Sequence, residues 1–222
     1  MKKLNEMNGN SLPITLADLA EQLSELTNNP ANATLPAPEI VTYYRFESDR
    51  KFCLDLMVDF SAIELVKTII WYNIQDKGIP AEERKPIWLY IMNYGGDADC
   101  GWSLISTILA SETPIYTVNL GVCASAAALI FMAGKKRYMF KNATVTIHEG
   151  SAQFSGDSTK VLDAGESYKA MLNHMREYIT SRTNIPAKLL AKKRNNDWEL
   201  SSEDCLKYGV CDAVISTISE VI

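Results

Sequence analysis

His148 and His174 are the two histidines of this 222-residue chain, so imidazole chemistry near neutral pH falls to one of them. His148 closes the apolar stretch VTIH, where a strand would deliver it to the rim of a sheet. His174 lies midway along a helical pattern, at the edge of its apolar stripe, and reads as a partly exposed helix or interface residue. His148 is therefore the candidate base. Ser125 follows TVNLGVCA and precedes AAALIFMA, at the junction of a strand and a helix. In the plainer reading its hydroxyl caps that helix. In the chemical one, free backbone N–H groups and a favourable dipole stand beside a nucleophilic oxygen, which suits a developing oxyanion. A serine hydroxyl is a weak nucleophile near pH 7 and needs a base that a carboxylate orients. Asp157, Asp163, Asp197 and Asp212 all lie downstream, and spacing does not choose among them. Acyl transfer through a serine is the chemistry that these residue types point to.

A second element is NYGGD. Gly95 and Gly96 lack side chains, so their N–H groups can approach a substrate carbonyl closely; a tight turn is the plainer reason for the pair. The stretch lacks the lysine and the spacing of a phosphate loop, and the text around Ser125 is not a G-x-S-x-G elbow.

The elements that must position these groups follow from the pattern. Residues 87–93 (IWLYIMN) read as an apolar strand, Gly95-Gly96 as a sharp turn and residues 98–111 as a helix. Residues 114–120 read as the next strand, Gly121 as a turn and residues 125–133 as a second helix. The repetition predicts a right-handed β-α-β succession on a buried parallel sheet, with functional groups at the carboxyl ends of the strands. Strands are also expected at 41–46, 52–58, 138–140, 144–148 and 213–218. A capping box at residues 61–64 (SAIE) predicts a helix running to about residue 77, and a long helix is expected over 159–182. Residues 15–26 (TLADLAEQLSEL) have the spacing of a short amphipathic helix, and the Asn-, Ala- and Pro-rich stretch after them that of a tether. This divides the chain into an extension, 1–38, and a body, 39–222.

Composition excludes several classes. The net charge of −5 argues against a nucleic-acid partner. No run approaches the roughly 18 apolar residues of a membrane span, and the opening MKKLNEMNGN does not lead into a secretory signal, so a cytoplasmic setting is expected. Five cysteines without zinc-site spacing read as reduced thiols, with no metal or other cofactor implied.

Four segments together resemble the Clp protease proteolytic subunit family: YIMNYGG, TVNLGVCASAAALIFMAG, VTIH and NDWELSSEDCLKYGVCDAVI, in that order, spanning roughly residues 88–215. The resemblance implies an α/β fold of the ClpP/crotonase type, a β-α-β spiral with a protruding long helix. It implies Ser125 as nucleophile, His148 as general base and then acid, and Asp197 as the orienting carboxylate. Gly96 and Ala126 match the positions whose N–H groups form the oxyanion hole. Gln153, Phe154, Ser155 and Gly156 match the segment that binds substrate as an added strand. Trp88, Tyr90 and Tyr138 match positions lining clefts between subunits where an AAA+ unfoldase ATPase docks, while a fourth aromatic of that set falls on Ala110. The implied activity is serine endopeptidase hydrolysis of unfolded or delivered polypeptides inside a homo-oligomeric chamber, a heptameric ring single or stacked in two. The chain departs from the family pattern at Tyr94 (usually Pro), Ala126 (Met), Glu149-Gly150 (Gln-Pro) and Asn196 (Arg).

Three other readings compete. A crotonase-like acyl-CoA enzyme would use the same pair of N–H donors and leave the serine idle. A phage-type head-maturation peptidase would cut without an ATPase, and a non-catalytic ring subunit would not cut at all.

Overall fold

The computed structural model describes residues 38–193 and 196–222, so the amphipathic segment expected at 15–26 lies outside the described residues. A compact unit runs from Phe46 to Ile222. Helix α1 spans Pro38–Ser48. Residues 41–46 are thus helical and not the expected strand. Pro38 and Glu39 in the first turn and Arg45 in the last are suited to the two ends of a helix, and they outweigh the strand preference of Val-Thr-Tyr-Tyr.

The sheet runs β1 (Lys51–Leu54), β2 (Ile87–Asn93), β3 (Ile115–Ala124), β4 (Lys136–Phe140) and, last in the row, β7 (Ala213–Ile215), every neighbouring pair parallel. The strand expected over 52–58 is shorter than that; Val58 returns only as an isolated parallel bridge to Gly96. Between β1 and β2, Asp59 accepts the Ser61 N–H at 2.8 Å and caps one 3₁₀ turn, Phe60–Ala62, which leads into α2 (Ile63–Gln75). The capping role expected at Ser61 therefore belongs to Asp59.

Helices α2, α3 (Ala98–Ala110) and α4 (Ala126–Ala133) each cross between neighbouring parallel strands. All eight residues of α4 are buried, the behaviour expected of a helix that is apolar all round. Alternate side chains of β2 face opposite ways. Ile87, Leu89 and Ile91 enter the main core beneath the helices; Tyr90 packs in a second cluster with Val118, Ile215 and Val221, with Trp88 and Tyr138 against it. Two-sided burial is why the parallel strands read as continuous apolar runs.

Gly121 is not a turn: β3 continues through it to Ala124, and the strand changes partner there. Residues 116–119 pair with β4, whereas 122–124 pair with β5 (Thr144–Ile147). β5 in turn pairs with β6 (Trp198–Leu200), the one antiparallel ladder among the described strands. Helix α5 (Ser158–Arg182) is the long helix expected from residue 159, capped by Asp157; α6 (Ala187–Lys193) and α7 (Ser202–Lys207) complete the set. The end expected as strand to residue 218 stops at Ile215 and closes with a 3₁₀ turn, Ile218–Glu220. Among the described residues no helix is long and apolar enough to cross a membrane.

Candidate active site

Ser125 stands between β3 and α4 with φ 56° and ψ −128°. This backbone conformation is costly for a residue with a Cβ, by about 1–3 kcal/mol, and persists only where the surroundings enforce it. Two contacts do so. The Ser125 N–H donates to the Thr146 carbonyl of β5 at 3.0 Å, and the Gly95 backbone lies so close that a Cβ built there would stand 2.7 Å from the Ser125 Cβ. The Ser125 side chain makes no cap hydrogen bond to α4, so the plainer capping role is not used.

The Gly95-Gly96 turn is organised by Asn93, whose side chain accepts the Gly95 N–H at 2.7 Å and donates to the Leu56 carbonyl. The same device recurs at β3, where buried Asn119 accepts the Gly121 N–H at 3.0 Å and donates to the Thr144 carbonyl. Both are Asn-x-Gly steps, a repeat visible in the sequence as NYG and NLG that sequence reasoning passed over. The parallel bridge between Val58 and Gly96 uses the Gly95 carbonyl and the Asp97 N–H. It leaves the Gly96 N–H out of the ladder. The Ala126 N–H, first in α4, has no partner within its helix.

His148 is brought to the site by strand register. β5 and β6 pair Val145 with Leu200, Thr146 with Glu199 and Ile147 with Trp198, so the next pair across the ladder is His148 and Asp197. Their side chains meet: His148 Nδ1 lies 3.2 Å from Asp197 Oδ1. The His148 ring is one-third exposed and the Asp197 carboxylate 78 % exposed, so the pair is not sealed from water.

Of the other three aspartates, two are engaged elsewhere and one lies on the surface. Asp157 accepts the Lys160 N–H as the cap of α5, and Asp163 is exposed on that helix. Asp212 takes both ends of the Arg137 guanidinium, at 2.6 Å and 3.1 Å. Burial pushes the Asp212 carboxyl up, but the Arg137 hydrogen bonds outweigh it and hold the group below the usual carboxylate range.

Ser125 and His148 line one cleft of about 440 Å³, together with Gly96 and Ala126. Trp102 from α3, Leu129 from α4, and Met171 and Met175 from α5 give the cleft an apolar floor. Trp102 is fixed by rings on two sides: Tyr178, edge-on at 5.2 Å, and His174 at 4.5 Å. His174 thus lies behind the floor, exposed to solvent, and does not line the cleft.

Gln153, Phe154, Ser155 and Gly156 lie in exposed, irregular chain between β5 and α5, and Phe154 rests against Tyr168 at 5.9 Å. They are outside the cleft lining, whereas Gly150 and Ser151 belong to it. Trp88 and Tyr138 stack at 5.7 Å and Trp88 and Tyr90 at 6.5 Å, on the sheet face away from the cleft helices. Tyr116, edge-on to Trp88 at 5.1 Å, makes this a group of four rings. No three His, Cys, Asp or Glu side chains among the described residues gather where they could hold one metal ion.

The model of a protein family described as Clp protease matches residues 48–218. The chain is 29% identical over 133 residues to the ATP-dependent Clp protease proteolytic subunit 2 of Treponema pallidum (strain Nichols), an alignment covering 59% of this chain and 67% of that protein. To the proteins of the same name from Borreliella burgdorferi and Bifidobacterium longum it is 30% and 29% identical. Those alignments cover 60% and 61% of this chain, and 69% and 67% of those proteins.

Proposed function

Because the chain belongs to the Clp protease family, we propose that it is a serine endopeptidase whose working groups are Ser125, His148 and Asp197. The observation that carries this reading is the β5–β6 register, which sets Asp197 against His148 at the rim of the cleft that Ser125 enters in a strained conformation.

The reading implies the following mechanism. Ser125 Oγ attacks the carbonyl carbon of a peptide bond while His148 Nε2 takes the hydroxyl proton. Asp197, at Nδ1, orients the ring and stabilises the imidazolium. The carbonyl oxygen becomes an oxyanion between the N–H groups of Gly96 and Ala126, where one such donor is worth about 10²–10³ in rate. As the tetrahedral centre collapses, the C–N bond breaks and the imidazolium gives its proton to the leaving amine. Water, deprotonated by His148, then cleaves the acyl-serine ester and restores the hydroxyl.

Substrate enters as extended polypeptide, with Gln153 to Gly156 as the edge on which it adds and the apolar floor beneath its side chain. The acyl-CoA alternative has no use for the His148–Asp197 pair, so the peptidase reading accounts for more of the site. The relatives' names describe proteolytic subunits of an ATP-dependent protease, and we extend that setting to this chain. It is a cytoplasmic ring of identical subunits that receives polypeptide from an AAA+ unfoldase. Exposed Ile70, Trp71 and Ile74 on α2 support packing between copies; Tyr90 is buried with its hydroxyl donating to the Val221 carbonyl, so docking of the ATPase at the aromatic group rests on half-buried Trp88 and Tyr138.

A fluorophosphonate probe and fluorogenic peptides test the reading. The expected result is a single adduct on Ser125 and loss of cleavage in Ser125→Ala. A Ser125→Ala variant that cleaves as fast as the parent overturns it. A strict monomer by light scattering removes the ring.

A further inference from the structure

β5 ends at Ile147 and β6 begins at Trp198, so His148 lies one residue beyond the last ladder pair. From residue 148 to α5 the chain has no regular structure, and Gly150 adopts φ 72°. Asp197, largely exposed, is a poor anchor for the imidazole. Yet the residue after His148 is held firmly. The Glu149 carboxylate accepts from Arg176 Nε at 2.9 Å and also from Nη2, and the Glu149 carbonyl accepts the Tyr168 hydroxyl at 2.9 Å. Arg176 is itself steadied by Asn173, which accepts Nη1 at 2.9 Å. Tyr168, Asn173 and Arg176 all belong to α5.

Helix α5 in turn is pinned to α4, the helix that Ser125 opens. The Tyr178 hydroxyl donates to the Leu129 carbonyl at 2.9 Å, and Arg182 donates to the carbonyls of Met132 and Gly134. Met175, Tyr178 and Ile179 are buried between them. Position is thereby passed from Ser125 along α4, across to α5, and through Arg176 and Tyr168 back to the residue adjoining His148.

We propose that the Glu149–Arg176 ion pair is a positioning clamp for the catalytic histidine, which refers the imidazole to the same helical body that carries the nucleophile. The inference rests on the peptidase reading above. A misplacement of about 1 Å at a reacting group can cost about 10²-fold in rate, which sets the expected effect of opening the clamp. The clamp also cancels a charge. Among the described residues, the ionisable groups that line clefts together with His148 are Asp97, Glu149, Tyr168, Arg176, Lys193 and Asp197. Removing Arg176 leaves the Glu149 carboxylate uncompensated beside the imidazole, favouring its protonated form.

The test uses the full chain in its native assembly. In Arg176→Ala, kcat and the rate of fluorophosphonate labelling fall together by about 10²-fold with KM little changed, and the acid limb of the kcat/KM profile moves to higher pH. Arg176→Lys restores part of the rate, since it keeps the charge without the fork. In the double variant Glu149→Gln with Arg176→Gln the acid limb returns while the rate stays low, a pattern that loss of general packing would not give. Should Arg176→Ala fail to fold, Glu149→Gln carries the same rate measurement. A well-folded Arg176→Ala labelled at the parental rate, with an unmoved profile, overturns the clamp. If Ser125→Ala stays active, it is the peptidase reading that fails.

Discussion

Gly95→Ala would expose how tightly the glycine turn is pressed against the nucleophile. Gly95 has φ 101°, a conformation that costs a residue with a side chain about 1–2 kcal/mol. A methyl group there would also stand 2.7 Å from the Ala124 carbonyl oxygen, 2.7 Å from the Ser125 Cβ and 3.0 Å from the Ala126 nitrogen. None of these neighbours is the free end of a flexible side chain, so the backbone must yield, at a further cost of about 1–3 kcal/mol. The sum, about 2–5 kcal/mol, corresponds to a fall in Tm of roughly 4–20 °C for a chain of this size. Gly78→Ala supplies the control: φ is 91°, but nothing lies within 4 Å of the added carbon, so only the backbone cost remains. The activity consequence is sharper than the stability one. Displacing Ser125 and the Ala126 N–H together should lower kcat by at least the roughly 10²–10³-fold of one lost oxyanion donor. Thermal unfolding and peptide hydrolysis of the two variants check this. If Gly95→Ala matches Gly78→Ala in Tm and keeps parental kcat, the close approach does not govern the nucleophile.

Asp197→Asn should slow peptide hydrolysis by more than tenfold and by no more than the about 10⁴-fold typical of a buried relay carboxylate, whereas Asp212→Asn, which faces Arg137, should lower Tm and leave the pH profile of hydrolysis in place; equal losses of activity in both would refute the assignment. Asp76 accepts two hydrogen bonds from Arg50 at 2.6 Å and one from Thr113 at 2.8 Å, and the Arg50 bonds, against an opposing effect of burial, hold its carboxyl below the usual 3.8. The unfolded chain then binds the extra proton first, so stability rises with pH across that window: the contribution is complete above about pH 4 and is lost as pH falls through the lowered value. Urea unfolding of Asp76→Asn should therefore show a flatter dependence on pH below about 4 than the parent.

The crossover half of the fold was legible because local chemistry and burial agree there. IWLYIM and AAALIFMA are apolar without interruption, and most of the first and all of the second are buried, as such runs are in a parallel sheet and its crossover. Val-Thr-Tyr-Tyr misleads because its strand preference is weak against a well-placed proline and acid at a helix start. At the site, Ser125 and His148 could be singled out from local pattern, but the aspartate could not. Its choice depends on an antiparallel return of chain fifty residues later in sequence, roughly the span between β5 and β6, and register of that kind has no local signature. Glu149 carried a signal that was seen only as a departure from the family pattern. Its partner Arg176 is a helix residue whose meaning appears once α5 is laid along the cleft.

β6 follows α5 in the chain, so on the peptidase reading the acid is the last of the working groups to be made. A growing chain that has emerged as far as α5 would hold the proposed hydroxyl, imidazole and amide donors without the acid that steadies the ring. Full hydrolytic power would then be withheld from any product that stops short of β6.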